Sequence, residues 1–213
     1  MTVHDHVVFV VDDDRRVREA ICELLAAMGR HAVAFGSAAA YMAFAKPDLP
    51  ACLVLDIELP DINGLELQAR MAEALHPPIV FITGHGDIPS SVKAVKRGAV
   101  DFLTKPFKDE ALLLAIDTAI ELDTAARAER TEVDKLRRRL ATLTPRERDV
   151  LPLVVSGLLN KQAAVELGIS EITLQIHRGK IMRKMEAASL ADLVRIAEKL
   201  RIPVTHSRRA GTS

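Results

Sequence analysis

No run of apolar residues in this chain approaches the roughly 18 needed to cross a membrane, although 49% of its 213 residues are hydrophobic. The N-terminus shows no basic segment followed by an apolar stretch, so there is no sign of a secretory signal. Cysteine is scarce: Cys22 and Cys52 are the only two, both in apolar contexts. They read as reduced core thiols, which excludes a disulfide framework. The expectation is a cytoplasmic protein with no membrane partner. Net charge is also missing, but the zero conceals a gradient. Residues 1–121 carry 18 acidic and 11 basic side chains, a net of −7, and residues 122–143 carry a net of +2. Residues 144–213 carry 12 basic and 7 acidic side chains, a net of +5. An acidic front and a basic back imply two tasks, with the back the candidate for nucleic acid.

What is present in the front half is alternation. Short apolar runs at Val7–Val11, Ala32–Phe35, Cys52–Leu55, Ile79–Ile82 and Asp101–Leu103 predict five strands. Between and after them lie segments of helical periodicity: Arg15–Met28, a helix capped by Ser37 to about Ala45, Leu65–Ala74, Pro89–Arg97 and one starting near Asp109. Continuous apolar strands alternating with amphipathic helices predict a doubly wound five-stranded parallel sheet of flavodoxin-like order, over residues 1–120. Neither Pro nor Gly interrupts the last helix before Pro145. Ala119, Leu122, Ala126, Glu129, Val133, Leu136, Leu140 and Leu143 follow 3,4 spacing, so residues 121–143 read as a helical linker. It is either a short coiled coil or a helix whose stripe packs on its own domains. Four short helices follow over 144–200: one opened by the capping box Thr144-Pro145-Arg146-Glu147, Asn160–Leu167, Glu171–Met185, and one capped by Ser189. Residues 201–213 read as a loose tail.

In doubly wound sheets, ligands bind beyond the carboxyl ends of the strands. Those ends present Asp12, Asp13 and Asp14, then Asp56, then Thr83, then Thr104 and Lys105. Clustered carboxylates repel one another unless a cation compensates, and Mg²⁺ suits a few carboxylates with a phosphate oxygen. A carboxylate beside metal, hydroxyl and ammonium is equipped to accept a phosphoryl group. The bland alternative is that Asp12–Asp14 cap a helix and Asp56 ends a strand by chance.

The stretches VVDDD, LVLDIELPDINGLEL, FITGHGD and GAVDFLTKPF resemble, in order, the receiver domain of two-component response regulators. The resemblance implies that Asp56 is the phosphoacceptor, with Thr83 and Lys105 assisting. It implies that Asp12, Asp13, Asp56 and the Glu58 backbone carbonyl serve Mg²⁺, or Mn²⁺ in its place. It further implies that Thr83 and Phe102 are switch residues and that the bond before Pro106 is cis. His85, beside the site, is a candidate modulator.

In the back half, Leu174, Ile181, Met182 and Met185 share one helical face and predict core. The opposite face is basic and follows a tight turn at Gly168–Ser170, as in a helix-turn-helix reader. LTPRERDVL, LNKQAAVELGIS and ITLQIHRGKIMRKM resemble the LuxR-type helix-turn-helix domain. That resemblance implies Gln175, Ile176 and Gly179 at base-facing positions, and Lys161, Thr173, His177, Arg178 and Lys180 near phosphates of double-stranded DNA. Leu174, Gln175 and Gly179 depart from residues common in the family, which leaves the operator sequence open.

Together the two halves resemble the NarL/FixJ group. The implied function is a phosphorylation-dependent transcription regulator, with activation the expected direction. Its implied partners are a sensor histidine kinase, DNA and RNA polymerase, and it would form a homodimer through receiver residues 89–103, the linker helix or both. Beyond Mg²⁺-dependent self-phosphorylation and dephosphorylation at Asp56, no enzymatic activity is expected. A dehalogenase-like phosphatase would want a second Asp where Glu58 stands. A phosphorylation-independent DNA-binding dimer using the receiver as a scaffold is the other alternative.

Overall fold

The computed structural model describes residues 5–72, 75–84 and 96–203. Most of the expected helix Pro89–Arg97 lies outside these residues, as do the last two residues of Leu65–Ala74, His85, residues 89–95 of the 89–103 face, and the tail from 204 onward.

The chain divides into two compact units, residues 1–128 and 129–213. The first holds a five-stranded parallel sheet: β1 (Val7–Val11), β2 (Ala32–Phe35), β3 (Ala51–Asp56), β4 (Ile79–Thr83) and β5 (Asp101–Thr104). Their order is β2-β1-β3-β4-β5, the flavodoxin-like arrangement. Every residue of β1, β3 and β4 is buried, as expected of strands covered on both faces. Alternate side chains go to opposite faces. Val7, Phe9, Val11, Leu53, Leu55, Ile79 and Phe81 form one core. Val8, Val10, Cys52, Val54, Val80 and Ile82 form the other, closed by Ile21 and Leu25 of α1 (Arg15–Ala27) and by Leu112, Ala115 and Ile116. The Cys52 thiol is fully buried, and burial pushes its pKa far above the usual value.

Short helices finish the sheet's loops. α2 (Ala38–Ala43) is capped by Ser37 and ends two residues before the expected Ala45, where Phe44 turns extended. α3 (Gly64–Met71) is capped by Asn63. It starts hard against β3: a Cβ on Gly64 would lie 2.4 Å from the Asp56 carbonyl oxygen, so only glycine fits.

α4 (Asp109–Ala141) runs 33 residues without interruption. In the first unit, buried Asp123 accepts from the Ala51 N–H at 2.8 Å and from Arg127 Nε at 2.7 Å, and Arg127 Nη1 pairs with Asp48 at 2.5 Å. Its heptad positions are divided between the units. Ala119 is buried in the first unit's core, Leu136 and Leu143 are buried in the second's with Leu140 packed against them, and Leu122 stays 51% exposed. Leu136, Leu140 and Leu143 thus pack on the second unit's own core, whereas Leu122 does not. A coiled-coil seam along the whole linker would require the same residues to face a partner.

The second unit contains α5 (Pro145–Val155), α6 (Asn160–Leu167), α7 (Glu171–Lys184) and α8 (Leu190–Lys199). The capping box at α5 forms as read: Thr144 Oγ1 accepts from the Glu147 N–H, and Glu147 accepts from the Thr144 N–H. Gly168 takes the left-handed conformation that ends α6, and Ser170 caps α7. Leu174, Ile181 and Met185 are buried in this core and Met182 is partly buried against it.

Candidate functional site: an acidic sheet rim and a basic reading helix

The carboxyl ends of β1, β3, β4 and β5 lie side by side, and their terminal residues meet at one rim. Asp12 follows β1, Asp56 ends β3, Thr83 ends β4, and Lys105 follows β5 with its N–H on the Thr83 carbonyl at 2.7 Å. Asp12 and Thr83 are fully buried and Asp56 nearly so. The Lys105 ammonium bridges two acids, donating to Asp12 Oδ2 and Asp56 Oδ2 at 2.6 Å each. Backbone groups hold the remaining oxygens: Asp12 Oδ1 accepts from the Asp14 N–H at 2.8 Å, and Asp56 Oδ1 from the Glu58 N–H at 3.0 Å. The Lys105–Pro106 peptide is cis.

The acids divide their labour. Asp14 is the N-cap of α1, accepting from the Arg16 N–H at 2.8 Å, so the capping expected of chance acids falls to this residue alone. Asp12, Asp13 and Asp56 place one oxygen each within 4.8 Å of one another. Burial pushes the Asp12 carboxyl above its usual range against the pull of Lys105. Burial works against the Lys105 ammonium, but its hydrogen bonds to the Asp12 and Asp56 carboxylates, with their negative charge, outweigh it and raise its pKa. The rim thus holds more negative charge than one lysine neutralises. Hard oxygen donors in that state fit a divalent cation.

Phe102 of β5 is half-buried beside the first core and pairs in register with Phe81. Glu58 lies in the loop closed by its bridge to Asn63. That loop is tied to the α2 N-terminus by Asp61, whose carboxylate accepts from the Ala39 N–H at 2.8 Å and the Ala38 N–H at 3.3 Å.

On α7, Gln175, Ile176, Gly179 and Lys180 are exposed, as is Lys161 on α6, while Thr173, His177 and Arg178 are half-buried. A Cβ on Gly179 would meet nothing within 4 Å, so the fold itself does not require glycine there. Arg178 Nη1 donates to Asn160 Oδ1 at 3.0 Å, which ties the reading helix to the start of α6. Sequence reasoning did not single out Asn160 or Arg18, whose guanidinium reaches the acid loop. A lone Asn and an Arg on a helix face carry no spacing signal, because their partners are distant backbone or side-chain atoms.

Residues 8–117 match the response regulator receiver domain, and residues 141–197 match the luxR family of bacterial regulatory proteins. Nodulation protein W of Bradyrhizobium diazoefficiens is 48% identical over 204 residues, covering 95% of this chain and 90% of its own. The transcriptional regulatory protein FixJ of Rhizobium meliloti is 43% identical, covering 91% of this chain and 95% of its own. The solved structure of the response regulator StyR overlays with a TM-score of 0.79 at 45% identity, covering 92% of this chain and 99% of StyR. The chain is a two-component response regulator with a luxR-type DNA-binding domain. Within that class it belongs to the NarL/FixJ group. A receiver domain implies a sensor kinase as partner, and a luxR-type domain implies DNA.

Proposed function

We propose that this protein is a phosphorylation-controlled transcription regulator, with Asp56 as phosphoacceptor. The observation that supports this best is the shared ammonium: Lys105 contacts Asp12 and Asp56 at 2.6 Å on a rim with surplus carboxylate. An Asp56 oxygen attacks phosphorus of the kinase phosphohistidine. The P–N bond breaks and the imidazole leaves. Lys105 stands by the charge of the transferred group, and the Thr83 hydroxyl and nearby backbone N–H groups receive its oxygens. Asp12, Asp13, Asp56 and the Glu58 carbonyl would hold Mg²⁺, or Mn²⁺ in its place, which when bound neutralises charge on the phosphoryl oxygens. The same groups serve self-phosphorylation by small donors and hydrolysis of the acyl phosphate.

The phosphoryl group adds roughly −1.5 to −2 charge at a buried rim. Thr83 moves toward it, and Phe102 takes the vacated space, which repacks the face that includes residues 89–103. That face favours a homodimer. The linker contributes less, because Leu136, Leu140 and Leu143 already serve the second unit's core. Two α7 helices then occupy two half-sites on DNA. Gln175, Ile176 and Gly179 read bases, while Lys161, Thr173, His177 and Lys180 approach phosphates. Arg178, with its bond to Asn160, both buttresses α7 and lies near a phosphate. RNA polymerase recruitment would make the output activation. With no helix among the described residues long and apolar enough to span a membrane, cytoplasmic action is the working assignment. No second reading has a specific observation in its favour.

The test is acetyl phosphate labelling of wild type and Asp56→Asn, followed by DNA footprinting with and without beryllofluoride. Labelling of wild type alone, and footprints that strengthen with the mimic, are expected. Full labelling of Asp56→Asn, or footprints indifferent to the mimic, would overturn the proposal.

A further inference from the structure

One cation near the rim has no part in the chemistry just described. Arg18 lies on α1, one turn past its cap, and its backbone N–H donates to the Asp14 carbonyl. Its Nη1 donates to the Asp12 carbonyl at 2.7 Å and to the Asp13 carbonyl at 2.8 Å. The guanidinium passes beside the end of β2, where a Cβ on Gly36 would stand 3.5 Å from that nitrogen. One nitrogen therefore bridges two successive peptide planes, and each plane follows an acid of the cluster.

Two physical effects come from this bridge. The first is geometric. Asp12 is already fixed by Lys105 and by the Asp14 N–H. The Asp13 side chain is exposed, so the direction of its carboxylate depends on the backbone that carries it. Fixing both carbonyls to one charged donor fixes that backbone, and charge-assisted bonds of this kind are stronger than neutral ones. The second is electrostatic. The Arg18 guanidinium brings a positive charge. Its charge lies behind a loop whose acids exceed the single neighbouring ammonium.

We infer that Arg18 is a positioning residue for the phosphorylation centre: it presets the acid loop so that Asp13 meets the divalent cation without rearrangement. The inference rests on the reading of the rim as a Mg²⁺-dependent phosphoacceptor site. Its signature is a change in the Mg²⁺ concentration required, with the chemistry at saturation preserved.

The experiment measures acetyl phosphate labelling of the full chain against Mg²⁺ concentration for wild type, Arg18→Ala and Arg18→Lys, with Asp56→Asn as blank. Groups that orient metal ligands typically change affinity by about 10- to 100-fold when removed. Arg18→Ala should raise the half-saturating Mg²⁺ about tenfold, with the maximal rate kept within about twofold. Arg18→Lys, whose ammonium can still reach one carbonyl, should recover only part of the loss, leaving half-saturation several-fold above wild type. A purely structural role would lower the thermal midpoint or the yield of labelled protein with half-saturation unmoved, and that result overturns the inference. Should Arg18→Ala fail to fold, Arg18→Lys decides: a flexible lysine ammonium does not hold both carbonyls as the planar guanidinium nitrogen does, so a rise of several-fold is expected and no rise is a refutation. Absence of Mg²⁺-dependent labelling in wild type would instead overturn the phosphoacceptor reading itself, whatever the variants do.

Discussion

The receiver and the reading unit manage their working residues in opposite ways. At the sheet rim the charged groups are drawn inward: Asp12 is fully buried, Asp56 is 4% exposed, and both are held by Lys105. On α7 the proposed base-facing residues Gln175, Ile176 and Gly179 stay exposed, while Leu174 and Ile181 go to the core with Met185 at the helix end, and Met182 packs against it. The reason is the ligand. A small phosphoryl group can be surrounded, and low local dielectric strengthens every contact to it. A duplex cannot be surrounded, so its reader must present a surface. The rim consequently couples chemistry to fold, and the helix face separates them.

The largest effect expected from this contrast is all-or-none. Asp56→Asn should abolish acetyl phosphate labelling, while scanning calorimetry shows the thermal transition of residues 129–213 unchanged. Next comes a pair of neighbours on α7. Leu174→Ala should cost about 2–5 kcal/mol of stability, read by urea unfolding, because its side chain is fully buried. Gln175→Ala should leave that unfolding curve in place. It should reduce discrimination between operator and mismatched DNA by about 1–3 kcal/mol, measured in competition binding. A destabilised Gln175→Ala would erase the distinction between the two surfaces.

The smallest effect concerns Glu147, the one buried acid among the described residues of the reading unit. The Lys184 ammonium, 2.7 Å away, holds the Glu147 carboxyl below its usual 4.5, with help from the Thr144 N–H. A depressed folded pKa contributes stability that is fully present above the unfolded value and is lost as pH falls through the folded one. Acid titration of the thermal midpoint should therefore show a decline below about pH 4.5 that Glu147→Gln flattens.

Much of this was legible in the sequence, for identifiable reasons. Buried parallel strands are nearly continuous apolar runs, so β1, β3 and β4 could be placed within a residue or two. The strand ends then named Asp12, Asp13, Asp56, Thr83 and Lys105 together, since strand order converts chain position into adjacency. The two readings of the linker show the limit. Apolar 3,4 spacing states that a stripe will be buried and is silent on what buries it, and Leu136 and Leu143 are claimed by helices far along the chain. Arg18 and the Asn160–Arg178 bond were invisible for a related reason: they act on a backbone carbonyl or a distant amide, and neither leaves periodicity. The division of roles among Asp12, Asp13 and Asp14 also needed coordinates, because three adjacent acids look alike until one is seen capping α1.

Both thiols of the chain lie in the receiver, and Cys52 is sealed four residues before Asp56 on the same strand. Cys22 on α1 is half-buried and would react with a disulfide exchange reagent in its own, earlier phase; the phase from Cys52 would report breathing of the central strand, and the DNA-reading helices, which hold no cysteine, would contribute nothing. The molecule carries its own site-selective clock for one half, with no engineered label required. Slower modification of Cys52 under a phosphoryl mimic would show the phosphorylated form of the rim tightening the strand that bears it.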